Sequence, residues 1–284
     1  MISVPGIQIE RIAAALGRGE PLYELSLKAA RTVADDFGGV VAATFSNPER
    51  FPSLAVRVAA ALGLPAAIPA FDVQMACSAY PYALYLAGRL AADTGKKILV
   101  VDGDVQSPLV DAADHATGHI FSDAATATVV SVDGRRTSQF DFLSQANDAL
   151  QCPAAGPIHM DGFAVFSFVA VEVSAFLKSF IAALPAEADF AAFVPHQANP
   201  YMIRQLARAL ALEDKLLTLD EAIRNPGSAS VPLTLAREGE NLAQRRRGAE
   251  GAGGLPVLIA GFGAGYSAAV GTVRLADGFT GEVL

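Results

Sequence analysis

Phe71-Asp72-Val73-Gln74-Met75-Ala76-Cys77-Ser78-Ala79-Tyr80 passes without a break from a short apolar segment into an Ala- and Leu-rich stretch of helical period. The passage from strand to helix recurs on both sides of it. Short apolar, β-branched runs at 39–45, 97–102, 126–132, 190–194, 256–260 and 269–275 read as buried strands. Between them, 22–34, 53–62, 79–92, 163–183, 200–212 and 230–243 carry helical periodicity. Such alternation predicts an α/β protein of βαβ units with its sheets covered on both faces. The stretch 133–161 interrupts the pattern with Gly, Pro, Asn and Gln and reads as the connection between two halves, 1–135 and 136–284. No strict repeat is visible, yet each half runs helix, strand, helix, strand in similar order.

Composition narrows the classes. With 284 residues, 52% hydrophobic and 18% charged, the chain has the apolar surface that a disordered segment lacks. Lys and Arg total 21 against 29 Asp and Glu, a net charge of -8, which argues against a general nucleic-acid binder. Mean hydropathy is +0.36, but no uninterrupted apolar run is expected to span a bilayer. Residues 1–10 show no charged n-region followed by an apolar h-region. Two cysteines, Cys77 and Cys152, cannot form a disulfide framework. The expectation is a soluble, cytoplasmic, core-rich protein with no membrane partner.

Three residues at strand–helix turns carry chemistry. Cys77 stands where a helix begins, and the helix dipole and free backbone N–H groups there favour a thiolate. Against this, a free cysteine is often a buried, inert residue. Cys152, in Leu-Gln-Cys-Pro, lacks such a context and reads as structural. Phe193-Val194-Pro195-His196-Gln197-Ala198-Asn199 ends a strand, and its proline places His196 on a turn that can face a cleft. Asn225 opens Asn-Pro-Gly-Ser-Ala-Ser, ordinary turn chemistry in itself. Together they form a Cys–His–Asn set at the positions where α/β folds place their sites. Gly261-Phe262-Gly263-Ala264-Gly265-Tyr266-Ser267 follows a strand and is either a tight turn or a backbone loop aimed at a developing oxyanion.

Taken in order, these pieces resemble the ketoacyl-ACP synthase III family of the thiolase superfamily. The matches are Cys77-Ser78, Phe121-Ser122-Asp123-Ala124-Ala125, Met160-Asp161-Gly162, Val194-Pro195-His196-Gln197-Ala198-Asn199, Asn225-Pro226-Gly227-Ser228-Ala229-Ser230-Val231-Pro232 and Gly261-Phe262-Gly263-Ala264-Gly265. The His and Asn strings are the specific ones. The resemblance implies a thiolase-like five-layer α/β/α/β/α fold of two similar halves, a homodimer, and a decarboxylative Claisen condensation without metal or organic cofactor. Cys77 would take an acyl group from an acyl-CoA or acyl carrier protein thioester. His196 and Asn225 would bind a malonyl thioester and stabilise its enolate. The backbone N–H groups of Cys77 and Ala264 would form the oxyanion hole, with Gly263 and Gly265 beside the substrate. The chemistry calls for a soft nucleophile that is also a leaving group, and for neutral donors to a transient enolate.

Further positions carry over from the family. Phe51 matches a residue that reaches into the partner protomer's acyl pocket, although it also reads as an apolar residue before a helix. Asn199 matches a pantetheine contact. Arg204 and Arg208, four apart on one helix face, match a docking helix for acidic carrier proteins, or are a solvated pair. The departures are a shortened N-terminal segment, 1–18, with no tryptophan in the chain; Tyr201 in place of an arginine; Ala268-Ala269 in place of Trp-Gly; and Ser122-Asp123-Ala124-Ala125 in place of Gly-Asp-Gly-Ala. They weaken the case for a free CoA primer and point to a specialised paralogue fed by a carrier protein. Two rivals stay open, an acyltransferase without condensation and a weakly active subunit of a heteromeric ketosynthase. Asp111, Asp114, His115 and His119 mimic a metal cluster, but Gly118 argues against one helix face. Arg245-Arg246-Arg247 reads as a solvated loop.

Overall fold

A computed structural model of the chain describes residues 1–114, 117–185, 188–246 and 254–284. The element order is β1 (Ile2–Leu16), α1 (Leu22–Thr32), β2 (Val40–Ala43), α2 (Leu54–Ala61), β3 (Ala70–Val73), α3 (Ala79–Thr94), β4 (Ile98–Asp104), β5 (Ala124–Asn147), β6 (Leu150–Gln151), β7 (His159–Met160), α4 (Gly162–Phe168), α5 (Ser174–Ala183), β8 (Ala192–Pro195), α6 (Pro200–Ala209), α7 (Ser230–Arg246), β9 (Leu255–Gly263) and β10 (Gly265–Val283). Every strand and helix expected from periodicity has a counterpart here. Strands pair in the order β3-β2-β4-β5-β1-β10-β9-β8, parallel where helices cross over and antiparallel along β5.

Three apolar clusters divide the molecule into layers. In one, Leu25 and Ala29 of α1 and Leu54 and Val58 of α2 pack on Val40, Leu99 and Val129 of the sheet. In a second, Tyr80, Ala83 and Leu84 of α3 and Val231, Leu233 and Leu235 of α7 lie between strands of both halves, from Val41 and Val100 to Val257 and Ile259. In the third, Val165, Phe168, Leu177 and Leu206 from α4, α5 and α6 cover Phe193, Leu258 and Val270. Helices, sheet, helices, sheet and helices follow one another, the five-layer α/β/α/β/α arrangement. The central pair is the one buried on all sides, so α3 presents small residues: a Cβ on Gly88 would stand 2.5 Å from Ile7 Cδ1.

The long strands differ from expectation. The stretch 133–147, expected as connection, is the second half of β5, and the 135/136 boundary falls inside that strand. Its register shifts between Asp133 and Thr137, opposite Gly6 and Pro5 of β1. The N-terminal residues form one 15-residue strand, β1, paired with β5 on one side and β10 on the other. A π-helical turn, Val169–Val173, joins α4 to α5 into one helix, Gly162–Ala183. That helix has the length and apolar composition of a membrane span, with a mean hydropathy of 1.8, contrary to the expectation that no segment does. Its Val165, Phe168, Leu177 and Phe180 are buried in the third cluster, and exposed Glu172 and Lys178 interrupt the outer face. Around Asp111 and Asp114 the chain forms turns, and His115 lies outside the described residues. Arg245 and Arg246 end α7 instead of forming a loop, while Arg247 lies outside the described residues.

Candidate active site

β9 is the element on which the site is assembled. Its Ala260 carbonyl accepts the His196 N–H at 2.7 Å, and Phe262 sets its ring edge-on to the imidazole at 5.6 Å. Gly261 and Gly263 face the short turn Ala76–Ser78 that carries Cys77. A Cβ on Gly261 would lie 2.8 Å from Ser78 Cα, and one on Gly263 would lie 2.9 Å from Cys77 Cβ. Glycine is required at both positions because the cysteine turn rests on bare backbone. The same turn packs against Gly227–Ala229, the turn just after Asn225. Hydroxyls fasten it further: Ser78 Oγ donates to Met75 O at 2.8 Å and lies 2.7 Å from Ser267 Oγ, beyond the glycine hairpin. Ala76 sits at φ 42, a conformation that costs a non-glycine residue about 1–2 kcal/mol, so the surrounding packing holds the Cys77 turn in place.

Electrostatics depart from the helix-dipole expectation. Cys77 is 6% exposed, and its thiol is pushed up to about 12, first by burial and then by the carboxylates of Asp104 and Asp102. The resting side chain is a thiol, because desolvation outweighs the N-terminus of α3. His196 is moved the other way, down to about 4, by burial, against a smaller opposing hydrogen bond with the Gly227 backbone. Its ring is therefore neutral at neutral pH, with Ser230 Oγ 2.9 Å from Nδ1. Asn225 is 6% exposed; its Oδ1 accepts the Gly227 N–H at 2.9 Å, which leaves the Nδ2 hydrogens as its donors to a ligand.

Two cavities meet at this cluster. One, of about 530 Å³, is lined by Cys77, Ala264 and Gly265 together with Phe45, Phe121 and Tyr266. The other, of about 450 Å³, is lined by Asn199, Arg204 and Asn225. The wall between them is Asn225 with Gln106 and Phe121, both of which also line the first cavity. His196 is buried between the turn at Gly227 and Phe262, behind Asn225, and is not part of the lining of either cavity. Gly263 backs the Cys77 turn and is not part of the lining of the first cavity. Asn199 is the N-cap of α6, its Oδ1 accepting from Tyr201 N at 2.8 Å and Met202 N at 3.2 Å. Arg204 and Arg208 stand on the exposed face of α6, each opposite a glutamate, Glu221 at 3.7 Å and Glu213 at 3.8 Å. Phe51 is 83% exposed on the loop before α2, away from both cavities. Cys152, expected to be structural, is exposed and lines the Cys77 cavity. Ser230, Phe262 and Phe121 stand inside motifs quoted from the sequence but had no role of their own there, and Gln106 was not singled out at all. Each stands beside a motif residue in space, but no local signal marks the pairing.

Comparison with known proteins gives these geometries a family. Residues 71–148 match the model of 3-oxoacyl-[acyl-carrier-protein (ACP)] synthase III, and residues 183–275 match the model of its C-terminal region. A mycobacterial β-ketoacyl-[acyl-carrier-protein] synthase III from Mycobacterium avium is 34% identical over 96% of this chain and 86% of its own length. The crystal structure of 3-oxoacyl-(acyl carrier protein) synthase III from Pseudomonas aeruginosa superposes with a TM-score of 0.84 at 25% identity, covering 96% of this chain and 99% of the other. A priming β-ketosynthase of a polyketide biosynthetic pathway superposes with a TM-score of 0.81 at 25% identity, covering 96% and 97%. Matches of this extent, on a thiolase-like five-layer fold, make the chain a member of the β-ketoacyl-acyl-carrier-protein synthase III family of condensing enzymes.

Proposed function

We propose that the protein joins an acyl group held on Cys77 to a malonyl unit by decarboxylative Claisen condensation. The Cys77 thiol attacks an acyl thioester, the backbone N–H groups of Cys77 and Ala264 receive the oxyanion, and the donor thiol leaves. A malonyl thioester then enters through the second cavity. Neutral His196 and the Nδ2 amide of Asn225 bind its thioester oxygen as carbon dioxide departs and the enolate forms. The enolate carbon attacks the Cys77 acyl carbonyl, which returns the thiol and releases the β-ketoacyl thioester. The observation that carries this reading is Asn225: its Oδ1 is taken by the Gly227 N–H, its Nδ2 hydrogens remain as donors on the wall of the second cavity, and it is joined by an imidazole that burial pushes down to about 4, a pairing of neutral donors that suits a transient enolate.

The acyl donor is proposed to be a carrier-protein thioester. Arg204 and Arg208 face out from α6, and exposed pairs such as theirs with Glu221 and Glu213 hold by only about 0–1 kcal/mol, weak enough to exchange for an acidic partner. The working unit is proposed to be a cytoplasmic homodimer of two 1–135 and 136–284 halves per chain. Exposed Phe51 supports it, as does β3, whose unpaired edge ends the sheet. The test is intact mass after incubation with matched acyl-CoA and acyl-carrier-protein donors, then addition of malonyl thioester, alongside Cys77→Ala. Expected are an acyl adduct absent from the variant, faster loading from the carrier, and a β-ketoacyl product. An adduct with no product from any malonyl donor would establish acyl transfer instead.

A further inference from the structure

β4 and the residues after it turn three polar side chains, Asp102, Asp104 and Gln106, to one face of an extended chain, and all three are buried. That face lies under the turn that carries Asn225. Asp102 Oδ1 accepts a hydrogen bond from the Ser228 hydroxyl. A Cβ on Gly227 would stand 3.3 Å from Asp104 Oδ2, and Gly227 holds φ +64. Gln106 Nε2 donates to the carbonyls of Asn225 at 3.1 Å and Ser122 at 2.9 Å. Three successive teeth thus meet three positions of one turn, residues 225, 227 and 228. The other oxygen of Asp104 is saturated by Thr44 Oγ1 at 2.8 Å, Phe45 N at 2.9 Å, and Ser46 N and Oγ at 3.1 and 2.9 Å. Asp104 therefore also fixes Phe45, a wall of the Cys77 cavity.

Asp102 and Asp104 both lack solvent exposure, and among the described residues the Oδ2 of each has no hydrogen-bond partner; Asp102 is the more sparsely held, with Ser228 as its side-chain donor against four donors to Asp104 Oδ1. A carboxyl so placed gives up its hydration, and an apolar residue of similar size would serve stability better. Groups kept at such cost are characteristic of working sites.

We infer that Asp102, acting through Ser228, is a positioning residue that fixes the Asn225 turn so that the amide donors of Asn225 face the condensation step. The inference rests on the condensation reading above and gives Asp102 no contact with substrate. Burial holds the Asp102 carboxyl well above the usual carboxylate range, and the neighbouring Asp104 pushes in the same direction. An asparagine at this position would accept from Ser228 through its amide oxygen as the carboxyl does, so it preserves the contact.

Two half-reactions separate the role from mere support of the fold. Acyl-Cys77 formation is followed by mass, and β-ketoacyl product is measured from pre-acylated enzyme and malonyl thioester. Asp102→Ala and Ser228→Ala are expected to acylate within about twofold of the parent and to condense at least tenfold more slowly, in kcat more than in KM. Asp102→Asn is expected to condense within about threefold of the parent, and the double Asp102→Ala/Ser228→Ala no more slowly than either single. Parental condensation in both alanine variants overturns the inference. So does an equal fall of both half-reactions, or an asparagine variant as slow as the alanine one. A parent protein that acylates yet never condenses overturns the condensation reading, and this inference with it.

Discussion

At Cys77 two familiar effects oppose each other. The first turn of α3 lies two residues on, and a helix N-terminus draws a thiol toward thiolate. Burial and the carboxylates of Asp104 and Asp102 push it to about 12 and prevail. The folded protein therefore holds its Cys77 proton to higher pH than an unfolded chain would, and ionising that thiol costs stability as pH rises from about 9 toward 12. Iodoacetamide alkylation, read on the Cys77 peptide because exposed Cys152 also reacts, should climb roughly tenfold per pH unit from pH 7 to 10 without levelling. A plateau near pH 8 or below would mean that the dipole prevails. The residue types of the site were legible: Cys77, His196 and Asn225 each stand at a strand–helix turn that the sequence marks. Their supports were not. Ser228 meets Asp102 across 126 residues, and nothing local in Ser-Ala-Ser distinguishes the hydroxyl that holds a carboxyl from the one, Ser230, that holds an imidazole.

Among the elements, the β9–β10 hairpin shows how backbone alone can place a reactive group. The tight turn expected there is present at Ala264, and Gly261 and Gly263 bring bare backbone against the Cys77 turn. Gly263→Ala would drive a methyl to within 2.9 Å of Cys77 Cβ and within 3.4 Å of its sulfur. The expected outcome is at least a tenfold loss of acyl-adduct rate with a stability loss of about 1–3 kcal/mol, measured by intact mass and urea unfolding. Wild-type acylation in that variant would show that the cysteine turn has room to move. The helices and most buried strands were legible because each keeps its period within one segment, but β1, central and buried, was not read as a strand. The second half of β5 was not, since 133–147 is polar and half-exposed and becomes a strand only by pairing with β1 and β10, more than a hundred residues away on either side. Local patterning carries no record of such partners.

On the scale of the whole molecule, the five layers are tied together at their middle by α7, and α7 is braced by the end of the chain. After Leu275 the strand loops out through Gly278 at φ +83, and residues 280–283 return to pair in parallel with residues 11–14 of β1. Phe279, 3% exposed, closes on α7 where a Cβ at Gly239 would be 2.6 Å from its ring, and Leu284 N donates to Ala14 O at 2.8 Å. The first residue of that same helix is Ser230, the hydroxyl beside His196. The tail thus presses the middle of the helix whose first residue holds the imidazole, at Ala236 and Gly239, while the Cys77 turn rests on β9 and α3 and meets this end of the site only through Gly227–Ala229. Phe279→Ala leaves a ring-sized void against α7 and should cost about 3–5 kcal/mol in urea unfolding. At low temperature, where the variant remains folded, condensation should fall more than acyl-Cys77 formation, because Ser230, beside His196, is part of α7 itself while Cys77 meets it only through Gly227–Ala229. Equal loss of both steps would mean that the brace supports the fold as one unit. A cost under about 1 kcal/mol would mean that the site collapses around the missing ring and the tail braces nothing.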